Sequence, residues 1–490
     1  MADSLKQRAI SGALWSGIHK FSITLLGFIS GVVLARLLTP HDYGVIGMLT
    51  IFIAVSNTFI DGGFGSALIQ KKRPTNEDYS TILYWNLGLS VVLYVILYAS
   101  APTIARFYDL SLLTEVLRVQ GVVLIINAAR IVQRTQLRKQ LAFKRIAIIN
   151  VSSNIVALLV TIVLAAMGWG VWSLVVQQLL LCLLTTILYW ITSKWRPMLV
   201  FSWTSFKELF SFGGFILLSN LFNTFCNNVQ GLLIGKVYNS STLGYYTKSR
   251  RTEGYASTFI SSVLDQVSYP VFSESQYDKP RMIRVLKQFI GASAFLTFPL
   301  MFLLILLAKP LFLLLYSEKW LDSVPYFQLL CIAGIAISLQ NVNYYAVAAL
   351  GKSKQLFKWT FVKRLLGLFL VFFGLWLYGL YGLLIGTVLT SWLIYIINGW
   401  LVSKYVGYSL KKQFADLFPV VFLSGMTCTI TYMITFLGIH NLYIDGLVKM
   451  LVFIAIYISS SVFLQLETFL SAKNVLTALY RKLRPVRVSN

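Results

Sequence analysis

Near-continuous apolar runs of 18 or more residues recur along this chain, from residue 11 to residue 466. Each is long enough to cross a hydrocarbon core of about 30 Å as a helix. Water would not dissolve a surface built from so many of them. Of the 490 residues 57% are hydrophobic and 12% charged, with a mean hydropathy of +0.73, whereas soluble domains carry about a quarter charged residues. The expectation is an all-α polytopic membrane protein. The Met-Ala-Asp-Ser-Leu-Lys start lacks a small-residue cleavage site behind a short apolar core, so the first helix is expected to stay in the membrane.

Apolar runs set against charged breaks predict fourteen spans: 11–37, 43–69, 81–104, 113–133, 146–167, 169–192, 209–236, 243–273, 288–308, 325–350, 361–378, 380–402, 414–437 and 444–466. The seventh and eighth are weak by hydropathy, the seventh because of its amides and the eighth because of a cationic cluster. Lys and Arg outnumber Asp and Glu by 42 to 17, a formal charge of +25. If the N-terminus is cytoplasmic, the cytoplasmic loops and both tails hold 30 of those 42 cations. That bias places both termini in the cytoplasm and removes any need for a nucleic-acid partner. Cys182, Cys226, Cys331 and Cys428 lie inside apolar segments without metal spacing, and His19, His41 and His440 are too scattered to hold a metal. The loops are short and carry no DxD, HExxH or Walker pattern, which argues against a polytopic polymerase or glycosyltransferase.

The chain also repeats itself at an offset of 200. Gly31-Val-Val-Leu-Ala-Arg-Leu-Leu-Thr-Pro-His-Asp-Tyr-Gly44 aligns with Gly231-Leu-Leu-Ile-Gly-Lys-Val-Tyr-Asn-Ser-Ser-Thr-Leu-Gly244. Both glycines match, Arg36 matches Lys236, and the apolar block coincides. Downstream, Phe59-Ile-Asp61 resembles Val263-Leu-Asp265 with one extra helical turn. Six spans separate the copies, so the repeats share one topology, with a pseudo-twofold along the membrane normal and a central cavity. The expected layout is an N-lobe over 1–192, a cytoplasmic linker over 193–208 and a C-lobe over 209–403. A two-helix appendage over 404–466 and a basic cytoplasmic tail over 467–490 follow.

The same offset exposes the expected cavity face. Ser16, Lys20, Thr24, Gly27 and Ser30 form one stripe of span 1, and Ile216, Asn220, Thr224, Asn227 and Gln230 are their partners in span 7, with Asn223 on the same face. A polar stripe facing lipid is costly, so it should face the bundle interior or water; packing of helices through small and amide residues is the competing explanation. Arg250, Gly254, Ser257, Ser261 and Asp265 mark one face of span 8, and Thr50, Asn57 and Asp61 the equivalent face of span 2. Lys248 and Arg251 join Arg250 near the outer end of span 8, where snorkelling to headgroups is the alternative reading.

Leu34-Ala-Arg-Leu-Leu-Thr-Pro-His-Asp-Tyr-Gly44 followed by Phe59-Ile-Asp-Gly-Gly-Phe-Gly-Ser-Ala-Leu-Ile-Gln-Lys-Lys72 resembles the polysaccharide-transport flippases. These are the Wzx-type members of the multidrug/oligosaccharidyl-lipid/polysaccharide exporter superfamily. The resemblance implies an alternating-access transporter in the bacterial inner membrane, not an enzyme. Its substrate would be an undecaprenyl-diphosphate-linked oligosaccharide, a repeat unit of O-antigen, capsule or exopolysaccharide. It needs no cofactor beyond a coupling proton or sodium ion, and other polysaccharide-assembly membrane proteins are conceivable partners. On this reading Lys20, Lys248, Arg250 and Arg251 hold the diphosphate. Thr24, Asn220, Asn223, Asn227 and Gln230 face the sugar, and Asp61 and Asp265 carry the coupling ion unless each pairs with a nearby cation. A lipid II flippase and a multidrug antiporter of the same superfamily are the rival readings. A cation-lined cavity is electrostatically wrong for the cationic drugs of the latter.

Overall fold

A computed structural model describes residues 2–437 and 440–483, apart from the side chains of some helical positions, Asp265 among them. The described chain is helical throughout. Its helices are α1 (Ala2–Leu37), α2 (Pro40–Asp61), α3 (Phe64–Gln70), α4 (Asn76–Phe107), α5 (Leu112–Gln120) and α6 (Val123–Lys139). Then come α7 (Phe143–Ala166), α8 (Val171–Thr192), α9 (Trp203–Val237), α10 (Ser240–Glu274), α11 (Lys279–Leu306) and α12 (Ala308–Tyr316). The series closes with α13 (Val324–Ala349), α14 (Ser353–Tyr405), α15 (Leu410–Met433), α16 (Leu442–Phe463) and α17 (Glu467–Leu483).

Local chemistry sets several of these boundaries. Thr39 caps α2 and Thr75 caps α4, each in a capping box with the Asp three residues on, a device worth about 1 kcal/mol. Pro40 occupies the first turn of α2, where its missing N–H costs nothing. Asp278, Ser409 and Asn441 cap α11, α15 and α16 by accepting backbone N–H groups of the first turn.

Among the described residues twelve helical stretches are long and apolar enough to cross a membrane. One of them, Lys354–Tyr405, is two helices meeting at Tyr378 and Gly379, where φ of Gly379 is 59°. That break coincides with the boundary expected between spans 11 and 12. The expected span 8 is α10, which is 35 residues long but too polar to qualify by hydropathy. The apolar surface is turned outward: Phe215 is 82% exposed, Trp376 78% and Phe463 86%. Outside a bilayer such a surface would drive aggregation. Two further differences from the sequence reading are local. Span 2 is broken at Gly62 and Gly63, both at positive φ, into α2 and α3. The basic tail is helical as far as Leu483, and α17 packs along α11.

The chain forms two compact units, Met1–Thr247 and Lys248–Asn490, with the division falling inside α10. In the first unit α1 packs on α7, α2 on α9, α4 on α5 and α6, and α8 on α6 and α7. Phe64, Leu68, Ile82, Val132, Phe206 and Leu209 form a core that joins α3, α4, α6 and α9. In the second unit α13 packs on α14, and α11 on α13, α15 and α17. Two buried polar pairs lie there: Asn343 donates to Gln413 at 3.1 Å, and Lys363 to Asn398 at 2.6 Å.

The offset of 200 has a structural counterpart inside the first unit. A methyl group on Gly44 would collide with the carbonyl of Ser240, and one on Gly244 with the carbonyl of Pro40. Residue 44 therefore meets 240 as 244 meets 40, the reciprocity of a local twofold. Only glycine allows the two backbones this close.

Candidate functional site

Asn57 and Asp61 of the polar stripe expected on span 2 line a cavity of about 330 Å³ in the first unit, whereas Thr50, the third, donates to the Ile46 carbonyl at 2.8 Å away from that lining. From α2 come Asn57, Thr58 and Asp61, and from α3 Gly65, Ser66 and Ile69. The opposite wall is α6, which presents Asn127, Arg130, Arg134 and Arg138. Steps of three, four and four residues put those four side chains on one helical face. Asn127 donates to Asn57 at 3.1 Å, tying the two walls together, and Arg130 donates to Thr185 of α8. Thr58 and Thr224 share a hydrogen bond of 3.1 Å, which brings α9 to the same region. Arg134, Arg138 and Asp61 are exposed toward the open space. The charges of Arg134 and Arg138 act on Asp61 and also on His19 of α1. Three arginines thus face one carboxylate, so the cavity carries a net positive charge that an anion would neutralise.

None of these arginines was a candidate in the sequence. The hydropathy pattern ends span 4 at residue 133 and leaves Arg134 and Arg138 among the loop cations. The structure continues α6 to Lys139 because Arg, Gln and Lys are good helix formers whatever their polarity. The i, i+4, i+8 spacing of Arg130, Arg134 and Arg138 was the available signal. His19 of α1 is near enough to feel the charges of Arg134 and Arg138, although it is not among the lining residues.

The other expected site residues are distributed as follows. Lys20 is exposed on α1, and Thr24, half-buried, donates to the Lys20 carbonyl at 2.8 Å. Asn220 and Asn227 are exposed on α9, and Asn223 is half-buried. Gln230 accepts a hydrogen bond from Tyr246. Arg250 and Arg251 are exposed on α10, with Arg251 donating to Tyr255 at 3.0 Å. The side chain of Asp265 lies outside the described residues. Lys248 differs from its neighbours: it is 3% exposed, and its ammonium sits 4.0 Å above the Tyr316 ring and 5.4 Å from that of Trp320. In this structure it is held by aromatic faces inside the second unit. One turn further, Glu253 is also buried and accepts the Ser257 hydroxyl, in a notch opened by Gly334 of α13.

Residues 33–325 match the family described as polysaccharide biosynthesis protein. The chain is 27% identical over 424 residues to the teichuronic acid biosynthesis protein TuaB of Bacillus subtilis (strain 168), covering 84% of this chain and 86% of that one. It is 23% identical over 432 residues to the lipopolysaccharide biosynthesis protein WzxC of Escherichia coli (strain K12), covering 88% of each. Among solved structures, lipid II flippase MurJ in an inward closed conformation superposes with a TM-score of 0.75 at 16% identity. That match covers 92% of this chain and 99% of MurJ.

Proposed function

Because the chain belongs to the polysaccharide biosynthesis protein family, as a flippase of the multidrug/oligosaccharidyl-lipid/polysaccharide exporter superfamily, we propose that it carries an undecaprenyl-diphosphate-linked oligosaccharide across a bacterial inner membrane. The observation that supports this substrate is the cavity wall of Arg130, Arg134 and Arg138 against the single carboxylate Asp61. A lipid diphosphate must shed its water to cross, and guanidinium groups replace that water with paired, charge-assisted hydrogen bonds. The amides Asn57 and Asn127, with Asn220, Asn223, Asn227 and Gln230 of α9, supply partners for sugar hydroxyls. Lys20 in the first unit and Arg250 and Arg251 in the second are exposed cations.

On this reading the site opens alternately to each leaflet, α10 counts as a fourteenth span, and both termini are cytoplasmic. Asp61 carries a proton or sodium ion whose binding weakens the hold of the arginines on the diphosphate. Asp265 is the corresponding candidate of the second repeat. A cationic drug would be repelled by the same wall.

The decisive experiment is translocation of defined lipid-linked oligosaccharides in proteoliposomes. Arg134→Ala and Arg138→Ala should each slow transport ten- to a hundredfold, since one charge-assisted contact is worth about 1.5–3 kcal/mol. Arg134→Lys should retain part of the rate. Full transport by both folded alanine variants would remove the arginine wall from the mechanism.

A further inference from the structure

A second cavity of about 490 Å³ lies in the first unit, lined by Tyr79 of α4, Gln136, Lys139 and Gln140 at the end of α6, Arg145 of α7, and the Ser193–Trp195 turn after α8. Three cations, Lys139, Arg145 and Lys194, line it, and no carboxylate does among the described residues. Their electrostatic duties differ. Lys139 is committed, donating to the carbonyls of Leu68, Ile69 and Lys71 where α3 ends. Arg196 likewise takes the carbonyls of Trp190, Ser193 and Trp195, so the negative end of α8 is already neutralised. Arg145 and Lys194 are exposed and form no ion pair among the described residues.

The inner wall is polar and ordered. Ser193 donates to Gln136 at 3.2 Å, Trp195 packs edge-on to Tyr79 at 5.9 Å, and the buried indole Nε1 of Trp195 has no acceptor among the described residues. A buried N–H without a partner costs about 1–3 kcal/mol, and an anion in this cavity would supply the acceptor. The segment just beyond is apolar and unprotected: Leu199 is 94% exposed, and Met198, Phe201 and Trp203 are exposed too. Such a strip belongs at the membrane interface, where tryptophan and tyrosine gather at headgroup level.

We propose that this cavity binds the phosphate of a membrane lipid, with Arg145 and Lys194 as the counter-charges and the Trp195 indole as a neutral donor. The lipid tail would lie along the strip from Met198 to Trp203. The site is separate from the arginine wall of the transport cavity. Two lipids present this chemistry, an anionic phospholipid and the isoprenoid diphosphate itself.

The test is native mass spectrometry of the full chain in detergent, titrated separately with phosphatidylglycerol and with undecaprenyl diphosphate. Arg145→Gln/Lys194→Gln should weaken the tightest binding of one of these lipids at least tenfold. Loss with phosphatidylglycerol alone identifies a phospholipid site, and loss with undecaprenyl diphosphate identifies a docking site for the transported lipid. Trp195→Phe, which removes only the N–H donor, should weaken the same lipid severalfold, and it serves if the double variant does not fold. Unchanged affinity for both lipids in every folded variant overturns the inference. Arg134→Gln runs alongside: if it leaves undecaprenyl diphosphate binding intact, the transport-site reading fails while this one stands.

Discussion

Lys248 offers the sharpest separation between a substrate contact and a structural cation. Replacing it with alanine removes an ammonium held 4.0 Å above one ring and 5.4 Å from another, together with a buried four-carbon stem. A desolvated cation–π contact is worth about 2 kcal/mol. Truncating a buried chain of this length to alanine costs about 2–5 kcal/mol, as for Met→Ala in cores. Lys248→Ala should therefore lower thermal stability by an amount comparable with those values. Lys248→Met keeps the volume and should recover most of the loss, because removing a buried charge offsets the lost attraction. Arg251→Ala, three residues along and exposed, should change stability by no more than about 0.5 kcal/mol. The assay is fluorescence-detected size-exclusion after a heating series, with lipid-diphosphate affinity measured on the folded fraction. The cage fails as an explanation if Lys248→Ala is as stable as the parent yet loses substrate affinity.

Four further outcomes follow from particular contacts. Asp445 and Lys449 form a buried pair at 2.6 Å in α16, so Asp445→Asn should cost about 3–5 kcal/mol in a melting assay, and Asp445→Leu/Lys449→Leu should regain it. Gly44→Ala should abolish monodisperse expression because its methyl collides with the Ser240 carbonyl, whereas Gly254→Ala, with nothing within 4 Å, should express normally. Burial opposes the charge of Lys71, but its ion pairs with Glu208 and Asp78 outweigh burial and raise its pKa above the ordinary lysine value. Its stabilisation is accordingly complete below the ordinary lysine range and lost only as pH rises through the raised value. Lys71→Met should thus lower the melting temperature equally at pH 6 and pH 8. Reporter fusions after Arg145 and Asn239 should report opposite faces of the membrane, and a cytoplasmic signal at Asn239 would remove the proposed pair of spans α9 and α10.

The spans were legible because twenty apolar residues in a row have one stable environment, and the turn at Gly379 was legible because a glycine interrupts such a run. The repeat at an offset of 200 was legible too, and one of its matched glycine pairs, Gly44 and Gly244, meets reciprocally at Ser240 and Pro40. The α2 stripe of Asn57 and Asp61 was found by periodicity and does line a cavity. The facing arginines were missed because hydropathy ends a span where charge begins, while the backbone of α6 continues. The cage around Lys248 could not be read at all, since Tyr316 and Trp320 lie about seventy residues away and only folding brings them over the ammonium. His19 comes near Arg134 and Arg138 for the same reason, across more than a hundred residues.

The spacing of the arginines on α6 bears on speed as well as affinity. Arg130 to Arg138 covers eight residues, about 12 Å of rise, more than a third of a hydrocarbon core about 30 Å thick. A single deep trap would hold a diphosphate firmly and release it slowly. Rungs spaced at about 6 Å let a charged headgroup change partners without ever leaving positive potential, which divides one large barrier into several small ones. On the proposed transport reading the wall would act as a track, and its value to a carrier would lie in how evenly it binds.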